Sequence, residues 1–170
     1  TKMDYLQKID DYLMLAEALN NPLPINWQTN NNLYIGEFII NNNTYVIDCK
    51  DLGDDVWFFS FDYIGLNNIR SNALTYNNKD VYRILPTIKE AFEHLYNTKN
   101  PNCIIFAIFD DSTGRRKIYD RFANEFSYNH KLNLLNKESN GKHIYSIYNN
   151  KIDKEYMSFV ILKLIQRDVK

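Results

Sequence analysis

Residues 103–109 read Cys-Ile-Ile-Phe-Ala-Ile-Phe, seven apolar side chains in a row. A strand with one wet face alternates with period two, so an unbroken run of this length reads as a strand covered on both faces. Such a strand lies inside a sheet with helices on each side, and its flanks supply them. Val81, Ile84, Leu85, Ile88, Ala91, Phe92 and Leu95 recur at helical spacing between Asp80 and about Thr98, and Asn100-Pro101 ends the pattern. Pro86 falls inside this stretch, so the helix either starts or bends there. Beyond the run, Ile118, Phe122 and Phe126 mark a second helix from about Arg115 to Tyr128.

The remaining segments fit around that centre. Residues 33–40 and 44–49 are β-branched and aromatic, and Asn41-Asn42-Asn43 between them predicts a hairpin with a three-residue loop. Asp51 to Asp55 is a second turn, and residues 56–63 form a third strand. Residues 131–136 and 142–149 alternate around Glu138 to Gly141 as another hairpin. A helix is expected over 3–19, with Asn20-Asn21-Pro22 stopping it. A last helix is expected from Asp153 to Arg167, packing through Tyr156, Phe159, Val160, Ile161 and Leu164. Residues 56–109 make a strand-helix-strand unit, the crossover that a parallel pair requires. The expected fold class is therefore α/β: a mixed sheet, mostly antiparallel with a parallel central pair, flanked by helices. Residues 1–150 read as one domain and 151–170 as a helical extension.

Composition removes several functions. Hydrophobic residues make up 45% of the 170, which is incompatible with a disordered chain. A net charge of -1 excludes a basic nucleic-acid coat. Trp57-Phe58-Phe59-Ser60-Phe61 could stack bases, but aromatics in a central strand more often pack into two layers. No apolar run approaches the roughly 18 residues of a membrane span. Residues 1–20 carry four acids and no signal-peptide apolar core, so a soluble chain without a secretory signal is expected. Cys49 and Cys103 have no metal spacing and read as buried, reduced thiols. His94, His130 and His143 are scattered, so no metal is expected. No Gly-x-Ser-x-Gly nucleophile motif occurs. Five glycines leave little room for a phosphate-cradling loop. The 24 asparagines gather in runs that mark turns.

The order of elements resembles the GNAT-type N-acetyltransferase fold. More narrowly, the stretch from Leu74 to Tyr148 looks like the GNAT-like-fold proteins common in tailed-phage genomes. The residues carrying this are Leu74-Thr75, VYRILPTIKEAF from Val81 to Phe92, and NPNCIIFAIFDDSTGRRKIYDRFANEF from Asn100 to Phe126. In those proteins a strand ending in acidic residues leads into Ser-x-x-Arg-x-x-x-Tyr-x-Arg, which Ser112, Arg116, Tyr119 and Arg121 nearly reproduce. Active GNAT enzymes hold the acetyl-CoA pyrophosphate on backbone N–H groups at a helix N-terminus, through a short Gly-rich loop. Here the corresponding link, Ile64 to Asp80, is about three times longer, holds one glycine (Gly65), and ends in an acid where a phosphate would sit. The resemblance therefore implies a protein without ordinary acetyl-CoA binding, acting on a protein partner in the virion or the host cytoplasm. The alternative is an N-acetyltransferase that binds acetyl-CoA in an altered loop.

Three groups are candidates for chemistry. Tyr119 sits where the GNAT resemblance implies the tyrosine that protonates a departing thiolate, a task suited to a phenol of pKa near 10. A ring packed under the sheet explains it as well. Asp110 and Asp111 end the apolar strand, where open α/β sheets place functional groups, and could equally be a turn cap. Arg115, Arg116, Lys117 and Arg121 cluster on one helix and could meet a phosphate or an acidic partner. Two of them occupy the first turn, where positive charge opposes the helix dipole. A solvated helix face is the plainer reading.

Overall fold

The computed structural model describes residues 21–64, 70–72, 81–108, 113–139 and 141–167. The helix read over 3–19 and most of the Ile64–Asp80 link lie outside them. The described strands are β1 (Asn26–Asn30), β2 (Leu33–Ile40), β3 (Asn43–Asp51), β4 (Val56–Ile64), β5 (Arg70–Asn72), β6 (Cys103–Ile108), β7 (Asn133–Ser139) and β8 (Lys142–Tyr148). The described helices are α1 (Val81–Lys99), α2 (Thr113–Asn129) and α3 (Lys154–Arg167). The sheet runs in the order β1-β2-β3-β4-β6-β8-β7, with β5 paired to β4. β4 and β6 are parallel, Val56–Phe59 against Cys103–Phe106, and α1 is their crossover. β1–β2, β4–β5, β6–β8 and β7–β8 are antiparallel. This is the α/β class read from the sequence, a mixed sheet with a parallel central pair.

Two local readings change. Asn43 belongs to β3, so the first hairpin has a two-residue turn, Asn41-Asn42, with φ of 49° and 66°. Both central residues of a type I′ turn need positive φ, and asparagine tolerates it best after glycine. The strand β1 was not apparent in the sequence because NWQTN has one apolar residue, Trp27, and the strand is otherwise exposed. Its register places Trp27 opposite Gly36. A Cβ on Gly36 would lie 2.8 Å from Ile25 Cγ2 and 3.0 Å from the Trp27 ring, so only glycine admits this close approach.

The chain divides into two compact units, residues 1–48 with 61–98 and residues 49–60 with 99–170. In the first, Phe38, Tyr45 and Phe61 stack on the sheet, with Phe38 and Tyr45 centroids 5.2 Å apart. Trp27 stacks on Tyr34 at 4.6 Å and on His94 of α1 at 4.7 Å, while the Tyr34 hydroxyl and His94 Nε2 are 2.6 Å apart. α1 begins at Val81, well before Pro86, so the proline sits inside it. The neighbouring Thr87 hydroxyl donates to the Arg83 carbonyl at 2.9 Å and accepts from Leu23 N–H at 3.0 Å, so its buried oxygen is satisfied. Asn100, at φ 48°, closes the helix in the left-handed cap that asparagine favours.

In the second unit β6 is covered on both faces, as the apolar run requires. Cys103 and Ile105 join Val56, Ile144, Tyr148, Met157 and Ile161 in a buried core, with Ala107 packed against it. Ile104, Phe106 and Ile108, on the opposite face, are buried too; Phe109 lies outside the described residues. α3 is capped by Asp153, whose carboxylate accepts from Glu155 N–H at 3.1 Å. Its buried stripe differs from the expected one. Met157 and Ile161 are fully buried and Val160 and Leu164 partly so, whereas Tyr156 and Phe159 are exposed. Spacings of three and four residues put Met157, Val160, Ile161 and Leu164 on one side of the helix, and Tyr156 and Phe159 fall on the other.

Candidate functional site

The residues singled out in the sequence lie on or before α2, which covers one face of β6, β8 and β7. Asp110 and Asp111 are outside the described residues, and so is the side chain of Arg115. Tyr119 is half-buried, its ring 6.4 Å from Phe106 and tilted by 49°. Phe106 in turn stacks on Tyr145 at 4.7 Å and meets Phe122 edge-on at 6.2 Å. Tyr119 is thus part of an aromatic layer between α2 and the sheet. Arg116 and Arg121 face carboxylates. Arg116 lies 3.6 Å from Glu138 and 4.0 Å from Asp120, and Arg121 lies 3.0 Å from Glu125. Lys117 is exposed. Arg116 and Arg121 are therefore charge-matched, and exposed pairs of this kind contribute about 0–1 kcal/mol each.

The centre of this region is a residue the sequence reading did not select. Asp120 accepts from the Tyr145 hydroxyl, lies 3.3 Å from Asn136 Nδ2, and faces Arg116. Burial pushes the Tyr145 phenol well above its ordinary value, and the hydrogen bond to Asp120 and that carboxylate's charge push it further. Tyr145 therefore remains a proton-bearing donor at neutral pH. No linear motif marked the pair, since Asp120 lies on α2 and Tyr145 on β8, 25 residues apart. Beside this group His143 is buried, its Nε2 3.6 Å from Glu138 Oε1. Its Nδ1 has no protein hydrogen-bond partner among the described residues. The arrangement holds protons in place; among the described residues no three His, Cys, Asp or Glu side chains gather as a metal site.

The thiols are equally closed. Cys49 and Cys103 are buried thiols outside any disulfide. Cys103 Sγ is 3.2 Å from Ser146 Oγ and 3.3 Å from Met157 Sδ. Burial pushes the Cys103 thiol up to about 12, against a smaller downward pull from Ser146. Thiolate is the reactive form, so Cys103 is not a nucleophile at neutral pH. The native chain is expected to give no rapid titre with an aromatic disulfide reagent and to release both thiols in denaturant. A fast native titre would place a cysteine at the surface.

The outer face of α3 carries large apolar side chains in water. Tyr156, Phe159 and Leu162 are 44%, 53% and 49% exposed. Lys163 Nζ lies 4.5 Å above the Phe159 ring, and the Tyr156 hydroxyl is 3.4 Å from Asp54. No helix among the described residues is long and apolar enough to cross a membrane.

No family model matches the chain, and no curated protein matches it. Among solved structures it is similar to a point mutant of the spermidine N-acetyltransferase SpeG from Vibrio cholerae. The TM-score is 0.42 and the identity 11%, over 71% of this chain and 66% of that one. At that identity the likeness says nothing of substrate or cofactor.

Proposed function

We propose that the chain is a GNAT-like-fold protein of tailed-phage type that acts by contact with protein, in the virion or on a host target, without ordinary acetyl-CoA binding. The observation behind this is the outer face of α3. Large apolar side chains left in water are scattered on most monomers, and a contiguous group marks a contact surface. Here three lie within seven residues of one helix whose opposite side is anchored in a core. Aromatic residues are enriched at such surfaces. The catalytic candidates offer less. Tyr119 belongs to an aromatic layer, Arg116 and Arg121 face carboxylates, and the Cys103 thiol is held protonated.

Two measurements test this. Acetyl-CoA at millimolar concentration is expected to leave the melting temperature unchanged. A ligand at one hundred times its dissociation constant would add roughly 2.7 kcal/mol, or about 5–10 °C for a chain of this size. A clear rise would favour an acetyltransferase with an altered loop, and Tyr119→Phe would then be the first variant to assay. For contact, cross-linked co-purification of tagged wild type is compared with Phe159→Asp and with Tyr128→Asp, a control at an exposed site on α2. A stoichiometric protein kept by the control and lost with Phe159→Asp supports the reading; equal recovery with all three refutes it.

A further inference from the structure

We propose that the outer face of α3 docks a second copy of this chain, with the two helices antiparallel about a two-fold axis at Phe159. This deepens the contact reading by naming the partner. Successive helical residues are about 100° apart, so Glu155, Tyr156, Phe159, Leu162, Lys163 and Gln166 share an arc of about 120° with Phe159 at its centre. All six are exposed. The arc is also symmetric in chemistry. One turn before Phe159 stands the acid Glu155, and one turn after it the base Lys163. Three residues before it stands Tyr156, and three after it Leu162.

A two-fold interface joins one patch to itself, so residue i meets j and j meets i. With the axis at Phe159, the two phenyl rings meet each other. Tyr156 meets Leu162 of the second copy, and Glu155 meets its Lys163, twice over. A parallel arrangement would instead set Glu155 on Glu155 and Lys163 on Lys163. The local field sharpens this polarity. Asp51 at the end of β3, and Asp54, Asp55 and Asp153 in the turns before β4 and α3, are exposed acids, and Asp54 lies beside the Tyr156 hydroxyl. Lys163 already leans over the Phe159 ring, at the margin of the apolar strip where a partner's Glu155 would arrive. Glu155 and Lys163 are about 12 Å apart along the axis, at a rise of about 1.5 Å per residue. The two ion pairs therefore bracket the apolar centre.

One helix face is smaller than the roughly 800 Å² that each partner of a stable complex contributes, so the dimer is expected to dissociate in the range of about 10–100 µM. The ion pairs lie at its rim, so salt weakens it.

The test is sedimentation velocity on the purified full chain from about 1 µM to about 300 µM. Wild type is expected to pass from monomer to dimer. Phe159→Asp places two carboxylates on the axis and should raise the dissociation constant at least about tenfold. Glu155→Lys should weaken the dimer to a similar degree, and Glu155→Lys with Lys163→Glu should restore it to within about threefold, because the pairs re-form reversed. These positions are exposed, so unchanged melting temperatures confirm that each variant folds. A wild type that stays monomeric throughout, a dimer indifferent to Phe159→Asp, or a charge reversal that fails to rescue would each overturn the proposal. A monomeric wild type that still retains a different protein through Phe159 would overturn the second copy alone and leave the contact reading standing.

Discussion

Replacing Ile161 by alanine is expected to lower the melting temperature by about 6–12 °C. Ile161 is fully buried and touches a core built from β4, β6, β8 and α3. Truncating an aliphatic side chain in such a place costs about 3 kcal/mol, from lost burial and from the cavity that remains. A chain of this size loses about 2–4 °C per kcal/mol. Met157→Ala should behave alike, with the added loss of the sulfur contacts to Cys103 and Ser146. Phe159→Ala, two positions before Ile161 but on the wet side, should move the melting temperature by no more than a degree or two. Thermal melts of the three variants read the orientation of the helix directly. Deleting 151–170 should abolish the cooperative near-ultraviolet transition, because it removes Met157 and Ile161 together with the partly buried Ile152, Val160 and Leu164. A truncated chain with native near-ultraviolet dichroism would show that α3 is not part of that core.

That helix also shows where the sequence was readable and where it was not. Its existence followed from the spacing of its apolar residues. Its facing did not, because apolar residues occupy positions on every side: Tyr156, Met157, Phe159, Val160, Ile161, Leu162 and Leu164. A strip of this kind leaves the moment of the helix weakly directed, and only the shape of the opposing sheet chooses the buried side. The run at 103–109 is the converse case. Its lack of alternation allowed one placement, and the central position of β6 between β4 and β8 is that placement. β1 was invisible because an edge strand needs no apolar pattern, only a partner, and Trp27 against Gly36 makes sense only once the register is known. The Asn41-Asn42 turn was misjudged by one residue, since turn type depends on φ and the composition of three asparagines does not fix which two bend. In the candidate site, Tyr119 and the arginines were found through a linear motif. Asp120 and Tyr145 come from different elements and meet through the β6–β8 register, where Phe106 lies opposite Tyr145.

Between pH 9 and 12 the fold is expected to lose stability steeply, and Cys103 should account for a measurable share. Burial raises this thiol from 9.0 to about 12, and burial with the nearby Asp120 raises the Tyr145 phenol from 10.0. Both groups are neutral when protonated, so the folded chain keeps protons that the unfolded chain releases. Below pH 9 both states hold the thiol proton and the stabilisation is complete. Above it the unfolded state binds fewer protons, and stability falls by about 1.4 kcal/mol per pH unit for each such group. For Cys103 alone the loss from pH 9 to 11 is on the order of 2 kcal/mol, a sizeable part of the 5–15 kcal/mol typical of a domain. The measurement is urea unfolding at pH 8, 9, 10 and 11 for wild type and Cys103→Ala. The variant starts lower, since a small cavity opens beside Met157 and Ser146, but its decline with pH should be shallower. Every other ionisable group is common to both proteins, so the difference between the two curves isolates the thiol. The gap should close by about 1.4 kcal/mol per unit above pH 9. A constant gap from pH 8 to 11 would mean that the thiol ionises alike in both states, and that the contact between β6, β8 and α3 is open to water.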